Sequence, residues 1–240
     1  MITENQNQVL KAYARRVRQE RRAHPAATEP GLAPAFHQML VELLPHLPAA
    51  PNDIVPLAEF INAGVGRPDI ALKRPGEQAR AFIELKALDK PTDGRRWTTA
   101  HDRRQFGRFC ELPIWLTSNF HGLRLYERDE DQGNADLVPE AALDPNRDEA
   151  AADRLIDAHD PTAALNLLER LAQSDPPQAK DAEHLAELLA HSAKLVRGIV
   201  RDRLAELAAD GVTGTPLHQV RQEFRDVLYS HPRGWGLLFH

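Results

Sequence analysis

Three charged residues in the segment 66–87 have the types and the spacing that metal-dependent hydrolysis needs. Glu84 and Lys86 are two residues apart in AFIELKA, and Asp69 lies upstream in RPDIALK. Alternate residues of a β-strand project from the same face, so Glu84 and Lys86 share a face if this segment is a strand. Two carboxylates beside an ammonium group form a site for a divalent cation and a positioned water, and carboxylate oxygens suit Mg²⁺.

Two short strands and a turn must position these residues. Residues 69–72 predict the first strand, and residues 81–86, with aromatic and β-branched residues before the charges, predict the second. The intervening RPGEQ breaks the pattern because Pro and Gly interrupt strands. We expect Leu85 to point away from its charged neighbours and into a core.

Metal-assisted hydrolysis is a reaction that such a site can support. A bound metal ion acidifies water and acts as a Lewis acid, and Lys86 beside it could orient or deprotonate the attacking water. Asp69 and Glu84 at one sheet edge repel each other, so without metal we expect at least one of them to have a raised pKa. The alternative is an ordinary surface ion pair between Glu84 and Lys86, worth at most about 1 kcal/mol.

The PD dipeptide that ends at Asp69 and the ELK tripeptide that starts at Glu84 resemble the PD and ExK elements of the PD-(D/E)xK nucleases. The resemblance implies that Asp69, Glu84 and the backbone carbonyl of Leu85 bind Mg²⁺, for which Mn²⁺ can substitute. It also implies that Lys86 activates the attacking water.

The flanking elements extend this resemblance. Glu29 precedes an apolar helix predicted over 31–44, and a helix predicted over 101–110 carries Gln105 and Phe109 on one face. This order is similar to the amino-terminal nuclease domain of type IIG and type ISP restriction–modification enzymes. The resemblance implies that Glu29 completes the metal site and that Gln105 belongs to the catalytic set. Phe109 stands where the family often has Tyr, so only the packing role carries over.

We therefore expect an α/β fold, in which a restriction-endonuclease-like mixed sheet core flanked by helices is followed by an α-helical subdomain. The predicted segments are a nuclease-like domain over 1–128 with a basic amino-terminal helix over 8–22, an acidic linker over 129–147, and a helical coupler or cap over 148–240. Amphipathic runs at 182–209 and 215–228 indicate the helices of the last segment.

The charge of the 240-residue chain is unevenly distributed. The net charge is −5, but residues 1–128 hold 19 basic and 14 acidic residues, whereas residues 129–240 hold 11 and 21. Such asymmetry indicates that the basic half binds a polyanion, although solvated helix surface in the acidic half explains it as well. We expect double-stranded DNA to be bound by arginines that follow the ExK strand, namely Arg95, Arg96, Arg103, Arg104 and Arg108. The basic helix 8–22 either lies along phosphates or is an exposed face.

Several classes are excluded. No apolar run approaches the eighteen residues of a membrane span, and the amino terminus lacks an apolar signal core, so we expect a cytoplasmic protein. The single Cys110 excludes an internal disulfide and cysteine-based zinc sites. Neither a phosphate-binding loop of nucleotide-driven motors nor the Pro-Pro-Tyr/Phe element of amino-methyltransferases is present in the sequence.

The sequence thus predicts a Mg²⁺-dependent, site-specific endodeoxyribonuclease domain of a restriction–modification or related defence system. We expect a methyltransferase or specificity subunit to be a further partner, bound through the carboxy-terminal helices. The alternative is a catalytically silent DNA-binding or assembly module of the same fold.

Overall fold

A six-stranded mixed sheet forms the centre of the computed structural model, which describes residues 2–25, 28–58, 68–128, 130–175, 197, 200–209, 211 and 214–219. The strands follow one another across the sheet in chain order: β1 (Val55–Ala58), β2 (Ile70–Lys73), β3 (Ala79–Leu85), β4 (Ile114–Ser118), β5 (Gly122–Glu127) and β6 (Glu130–Asp136). Neighbouring strands are antiparallel except β3 and β4, which are parallel. This α/β architecture is the expected one and is consistent with a restriction-endonuclease-like core.

Helices flank the sheet and begin where the sequence supplies caps. They are α1 (Glu4–Ala23), α2 (Glu29–Leu43), α3 (Ala100–Phe109), α4 (Glu149–Ala158) and α5 (Thr162–Gln173). Thr3 and Gln6 form a capping box at the start of α1, and the side chain of Thr99 accepts a hydrogen bond from the backbone of Asp102 in α3. Short 3-10 turns occupy Leu44–His46, Gly94–Arg96 and Glu140–Leu143.

The two faces of the sheet pack against different helices because side chains alternate along each strand. Ile83 and Leu85 of β3 lie in the large core beneath α1, α2, α4 and α5, which confirms the predicted inward direction of Leu85. Phe82 lies on the other face, in a smaller cluster with Trp115 and with Phe109 of α3. Glu84 follows Phe82 by two residues and therefore belongs to the face beneath α3.

The parallel pair β3–β4 explains the place of α3. Parallel neighbours need a crossover connection, usually a helix, to return the chain to the same end of the sheet. Residues 87–99, which we call the crossover loop, and α3 supply that connection. The crossover therefore starts directly after Lys86, and it brings the first turns of α3 over the end of β3.

The predicted linker over 129–147 is wrong, because residues 130–136 form β6 and pair with β5. The chain divides instead into one compact unit of Met1–Gln178 and a second of Ala179–His240, so α4 and α5 belong to the unit that holds the sheet. The strand β6 reads EDQGNAD and is mostly exposed, so it has no apolar alternation that would reveal a strand.

The second unit is described only in part. Residues 200–209 and 216–219 are helical, in agreement with the predicted runs, and Leu204 and Leu207 are buried. The remaining parts of those runs, 182–196 and 220–228, lie outside the described residues. Across the described ranges, no helix has both the length and the apolar character that a membrane crossing requires.

Candidate active site

Glu84 and Lys86 form a buried ion pair at the end of β3. The Lys86 ammonium donates a hydrogen bond of 2.7 Å to Oε1 of Glu84, and the two residues are only 2% and 5% exposed. The pair is formed because the residues share one face of the strand, as the spacing predicts. Its burial excludes the alternative of a solvated surface pair, since both charges have lost most of their contact with water.

Asp69 joins this pair from the neighbouring strand. The residue immediately precedes β2, and because β2 and β3 are antiparallel, the start of β2 lies beside the end of β3. The Asp69 carboxylate accepts a hydrogen bond of 2.6 Å from the backbone N–H of Leu85. The structure therefore brings Asp69, Glu84 and Lys86 together at one edge of the sheet.

Burial and neighbouring negative charge change the protonation of Glu84. Burial in a poorly solvated position, followed by the charge of Asp69, raises the pKa of Glu84 to about 8, although Lys86 acts in the opposite direction. The expected raised pKa is thereby confirmed, with desolvation as a larger cause than repulsion. Without an added cation, the charged form of Glu84 is therefore less favourable than that of an ordinary carboxyl group.

Lys86 is the most heavily contacted group of the site. Besides its bond to Glu84, the Lys86 ammonium donates a hydrogen bond of 3.0 Å to Oε1 of Gln105. It also lies 3.8 Å from Oδ1 of Asp102 and 4.6 Å above the ring centre of Trp97. Burial lowers the pKa of Lys86, but the charge and hydrogen bond of Glu84 and the charges of Glu29 and Asp102 raise it, and the net pKa is raised. These neighbours favour the charged ammonium form of Lys86.

Glu29 stands at the first position of α2 and is half-buried. Desolvation raises the pKa of Glu29, the charge of Lys86 lowers it, and the charges of Asp69 and Asp102 raise it further. The charges of Lys86, Asp69 and Asp102 thus act on Glu29. Glu29 therefore lies near the site, where the order of elements along the sequence predicts it. Its location at a helix start also favours its negative charge.

One carboxylate oxygen of the site has an unfilled hydrogen-bonding capacity. Oε2 of Glu84 is buried and has no hydrogen-bond partner among the described residues, which is unusual for a buried polar atom. No group of three or more His, Cys, Asp or Glu side chains with metal-binding geometry occurs among the residues that the structure describes. Two carboxylates and the Leu85 carbonyl remain a plausible set for Mg²⁺, which usually binds proteins through one or two carboxylates and keeps several waters.

The crossover loop is held rigidly next to these groups. The Trp97 indole, 2% exposed, donates to the Pro91 carbonyl at 2.9 Å, which shows that it anchors the loop and does not face solvent. Gly94 lies so close to α3 that an added methyl group would come within 2.1 Å of the Phe106 ring. Any side chain at Gly94 would therefore force the Phe106 ring out of its position.

The predicted DNA-binding arginines fall into two groups. Arg95 forms ion pairs with Asp93 at 3.0 Å and with Asp131 at 2.9 Å. The others lie on the last turn of the crossover loop or on α3, and they are Arg96, Arg103, Arg104 and Arg108. Of these, all but the half-buried Arg108 are exposed, and none makes an ion pair within the described part of the chain.

Sequence reasoning missed Asp102. Asp102 is 6% exposed, and its Oδ2 lies 2.8 Å from the Lys90 ammonium. A signal was available, since Asp102 and Gln105 are three residues apart and therefore share a helix face. Phe109, by contrast, has the predicted packing role, and its ring lies 4.9 Å from that of Trp115 in a tilted arrangement.

Comparisons with known proteins were made for the whole sequence. A scan against protein-family models finds no match, and neither does a search of curated proteins. Among solved structures, the chain is similar in fold to a chain of the cryo-EM structure of a DrdV–DNA complex, with a TM-score of 0.50 and 18% sequence identity. The similarity covers 72% of this chain and 14% of that chain. At this identity the likeness shows a shared fold.

Proposed function

We propose that this chain is a metal-dependent DNA endonuclease domain of a restriction–modification or related defence system. The observation that carries the proposal is the buried Glu84 carboxylate, with Oε1 paired to Lys86 at 2.7 Å and Oε2 without a hydrogen-bond partner among the residues described. Asp69 adds a second negative group beside it. A buried carboxyl oxygen of this kind, next to a second acidic group, favours binding of a cation.

Asp69, Glu84 and the Leu85 carbonyl would hold Mg²⁺ or Mn²⁺, and Glu29 would add a further acidic group. The ion, when bound, lowers the pKa of water and polarises the phosphoryl oxygen. Because the net pKa of Lys86 is raised, its ammonium is better suited to orient the attacking water and offset negative charge than to accept a proton. Gln105 keeps Lys86 in place through the 3.0 Å hydrogen bond.

Double-stranded DNA is the substrate that we propose. Arg96, Arg103 and Arg104 are exposed on the segment that covers the site, and such side chains contact phosphates without reading sequence. The similar fold in a DrdV–DNA complex supports the same assignment. The chain spans only 14% of that protein's length, so a partner such as a methyltransferase or specificity subunit is likewise a proposal.

A second candidate function is a catalytically silent DNA-binding module of the same fold. The observation that favours it is the absence, among the described residues, of three metal-ligating side chains in one cluster. In such a module the Glu84–Lys86 pair would serve the fold alone.

Cleavage of supercoiled plasmid with Mg²⁺ or Mn²⁺ separates the two candidates. We expect the wild type to nick or cut, and Lys86→Met to be slower by about 10²-fold or more, the range for loss of a group that handles the attacking water. The matched control is Lys11→Met, because Lys11 also forms a close pair with a carboxylate, 2.6 Å from Asp157 on α4. Equal traces from wild type and Lys86→Met at high enzyme would eliminate the nuclease, and DNA binding without cleavage would support the silent module.

A further inference from the structure

We propose that Asp102 is a positioning residue that holds Lys86 and Lys90 in place within the site. This inference rests on the proposed nuclease function. It starts from a carboxylate that is 6% exposed and that bridges two ammonium groups, with Oδ2 2.8 Å from Lys90 and Oδ1 3.8 Å from Lys86.

The position of Asp102 is itself fixed by the start of α3. Its backbone N–H donates to Oγ1 of Thr99, the N-cap residue, at 3.0 Å. Gln105 lies one turn further along the same helix face and accepts from Lys86 at 3.0 Å. The helix thus presents two acceptors, one charged and one neutral, to a single lysine of β3.

Lys90 is fixed at both ends. Its backbone carbonyl accepts a hydrogen bond of 2.9 Å from Nδ2 of Asn119, which follows β4, and its ammonium is paired with Asp102. The Lys90 side chain is 38% exposed, whereas that of Lys86 is 7% exposed. Asp102 therefore connects an inner cation that contacts Glu84 with an outer cation at the rim, where a substrate phosphate can reach it.

The negative charge of Asp102 offsets the repulsion between the ammonium groups of Lys86 and Lys90. If Asp102 were neutral, the two ammonium groups would repel each other. Lys86 would then lose the attraction of Asp102 and would be held by Glu84, Gln105 and the Trp97 ring. Small displacements of a catalytic group reduce the rate strongly, so the change should be visible in kcat.

The test uses Asp102→Asn, which keeps the shape and removes the charge, and Asp102→Glu, which restores it. Single-turnover plasmid cleavage with Mg²⁺ should be at least tenfold slower for Asp102→Asn, with KM changed much less than kcat, and Asp102→Glu should recover part of the rate. Asp157→Asn is the matched control, since it removes a Lys–Asp pair of similar length between α1 and α4. A wild-type rate for Asp102→Asn would overturn the proposal.

A second measurement does not depend on activity. Lys90 held against Asp102 should react slowly with an amine-acylating reagent, and mass spectrometry should show it reacting several-fold faster in Asp102→Asn, relative to Lys73 at the far end of β2. If the wild type does not cleave DNA, the nuclease function fails, while the labelling still decides the role of Asp102. Equal labelling of Lys90 in the two proteins would overturn the positioning role.

Discussion

The helices α1 and α3 both carry runs of arginine in the sequence, yet the structure uses the two runs differently. On α1, Arg15 and Arg16 pair with Asp153 and Glu42, and the three arginines after them donate to backbone carbonyls of the segment 142–147. On α3, Arg103 and Arg104 are exposed and have no ion pair in the described ranges. The proposed DNA surface therefore includes the exposed arginines of α3 and not those of α1, which are engaged by partners within the fold.

The carboxylates near α1 and beneath α3 differ in the same way as the arginines, since one has a partner within the fold and the other does not have its charge fully compensated. Glu42 receives two hydrogen bonds from Arg16, at 2.8 and 3.2 Å, and these bonds lower the pKa of Glu42. Glu84 is buried beside Asp69, and its pKa is raised to about 8. Glu42 near α1 is thus stabilised in its charged form by a partner within the fold, whereas burial and Asp69 disfavour the charged form of Glu84 beneath α3, which an external cation would stabilise.

The largest expected effect concerns the pH dependence of stability without metal. Glu84 has a folded pKa of about 8 against an ordinary value of 4.5, so the folded protein keeps a proton that the unfolded chain loses. The free energy of unfolding should therefore fall between pH 4.5 and 8, by roughly 3–5 kcal/mol from this group alone. Urea denaturation in EDTA at several pH values should show a much flatter profile for Glu84→Gln.

Glu42→Gln is the control for that measurement. The pKa of Glu42 is lowered, so its contribution is present above its unfolded pKa and is lost as the pH falls through the lower folded pKa. Glu42→Gln should leave the decline between pH 4.5 and 8 intact. If the free energy of unfolding fell by the same amount between pH 4.5 and 8 in the wild type and in Glu84→Gln, Glu84 would not cause the decline. The contrast between the surroundings of Glu42 and Glu84 would then be wrong.

The next largest effect is the response to Mn²⁺, which should bind more tightly than Mg²⁺. A hundredfold excess over Kd stabilises the folded state by about 2.7 kcal/mol, equivalent to roughly 5–10 °C in Tm for a chain of this size. Thermal-shift titration should show this rise for the wild type and for Glu42→Ala. It should be much smaller for Asp69→Ala and Glu84→Ala, either of which can exceed the wild type in Tm when metal is absent. The same rise in all four proteins would remove the support for a metal site at Glu84.

The smallest effect separates the two arginine runs directly. Arg103→Gln/Arg104→Gln should weaken DNA binding about tenfold and reduce the salt dependence of log K by about 1 for each lost phosphate contact. Arg15→Gln/Arg16→Gln removes the same charge but should leave DNA affinity unchanged and lower the free energy of unfolding by at most about 1 kcal/mol per pair. Fluorescence anisotropy over a salt series, with urea denaturation in parallel, measures both. Equal losses of affinity in the two double variants would contradict the distinction.

The sequence was informative where local spacing determines geometry. The alternation of Glu84, Leu85 and Lys86 and the turn-wise spacing of Gln105 and Phe109 were sufficient to predict which side chains share a face. The position of Asp69 beside the end of β3 also followed, because two strands joined by a short turn are antiparallel neighbours. These relationships depend on a few adjacent residues, so no long-range information was needed.

Other features depended on pairings that no local pattern encodes. Asp102 was missed because its role requires Lys90, twelve residues away across the crossover loop, to fold back onto α3. The arginines of α1 could not be assigned because most of their partners, including those of Arg18 and Arg21, lie more than a hundred residues later in the chain. Strand β6 was taken for part of a linker because pairing with β5, and not an apolar pattern, defines it.

The composition of β1 and β6 has a consequence for solubility. These are the outer strands of the described sheet, and an outer strand presents unpaired backbone groups on which another chain can add by β-pairing. Pro56 in β1 lacks an N–H group, and β6 carries Glu130, Asp131 and Asp136 together with a break in register beside Leu125. Pro56 in β1 and the charges and broken register of β6 oppose β-pairing between copies of the protein. The acidic residues that leave β6 without an apolar pattern therefore also reduce aggregation through that strand.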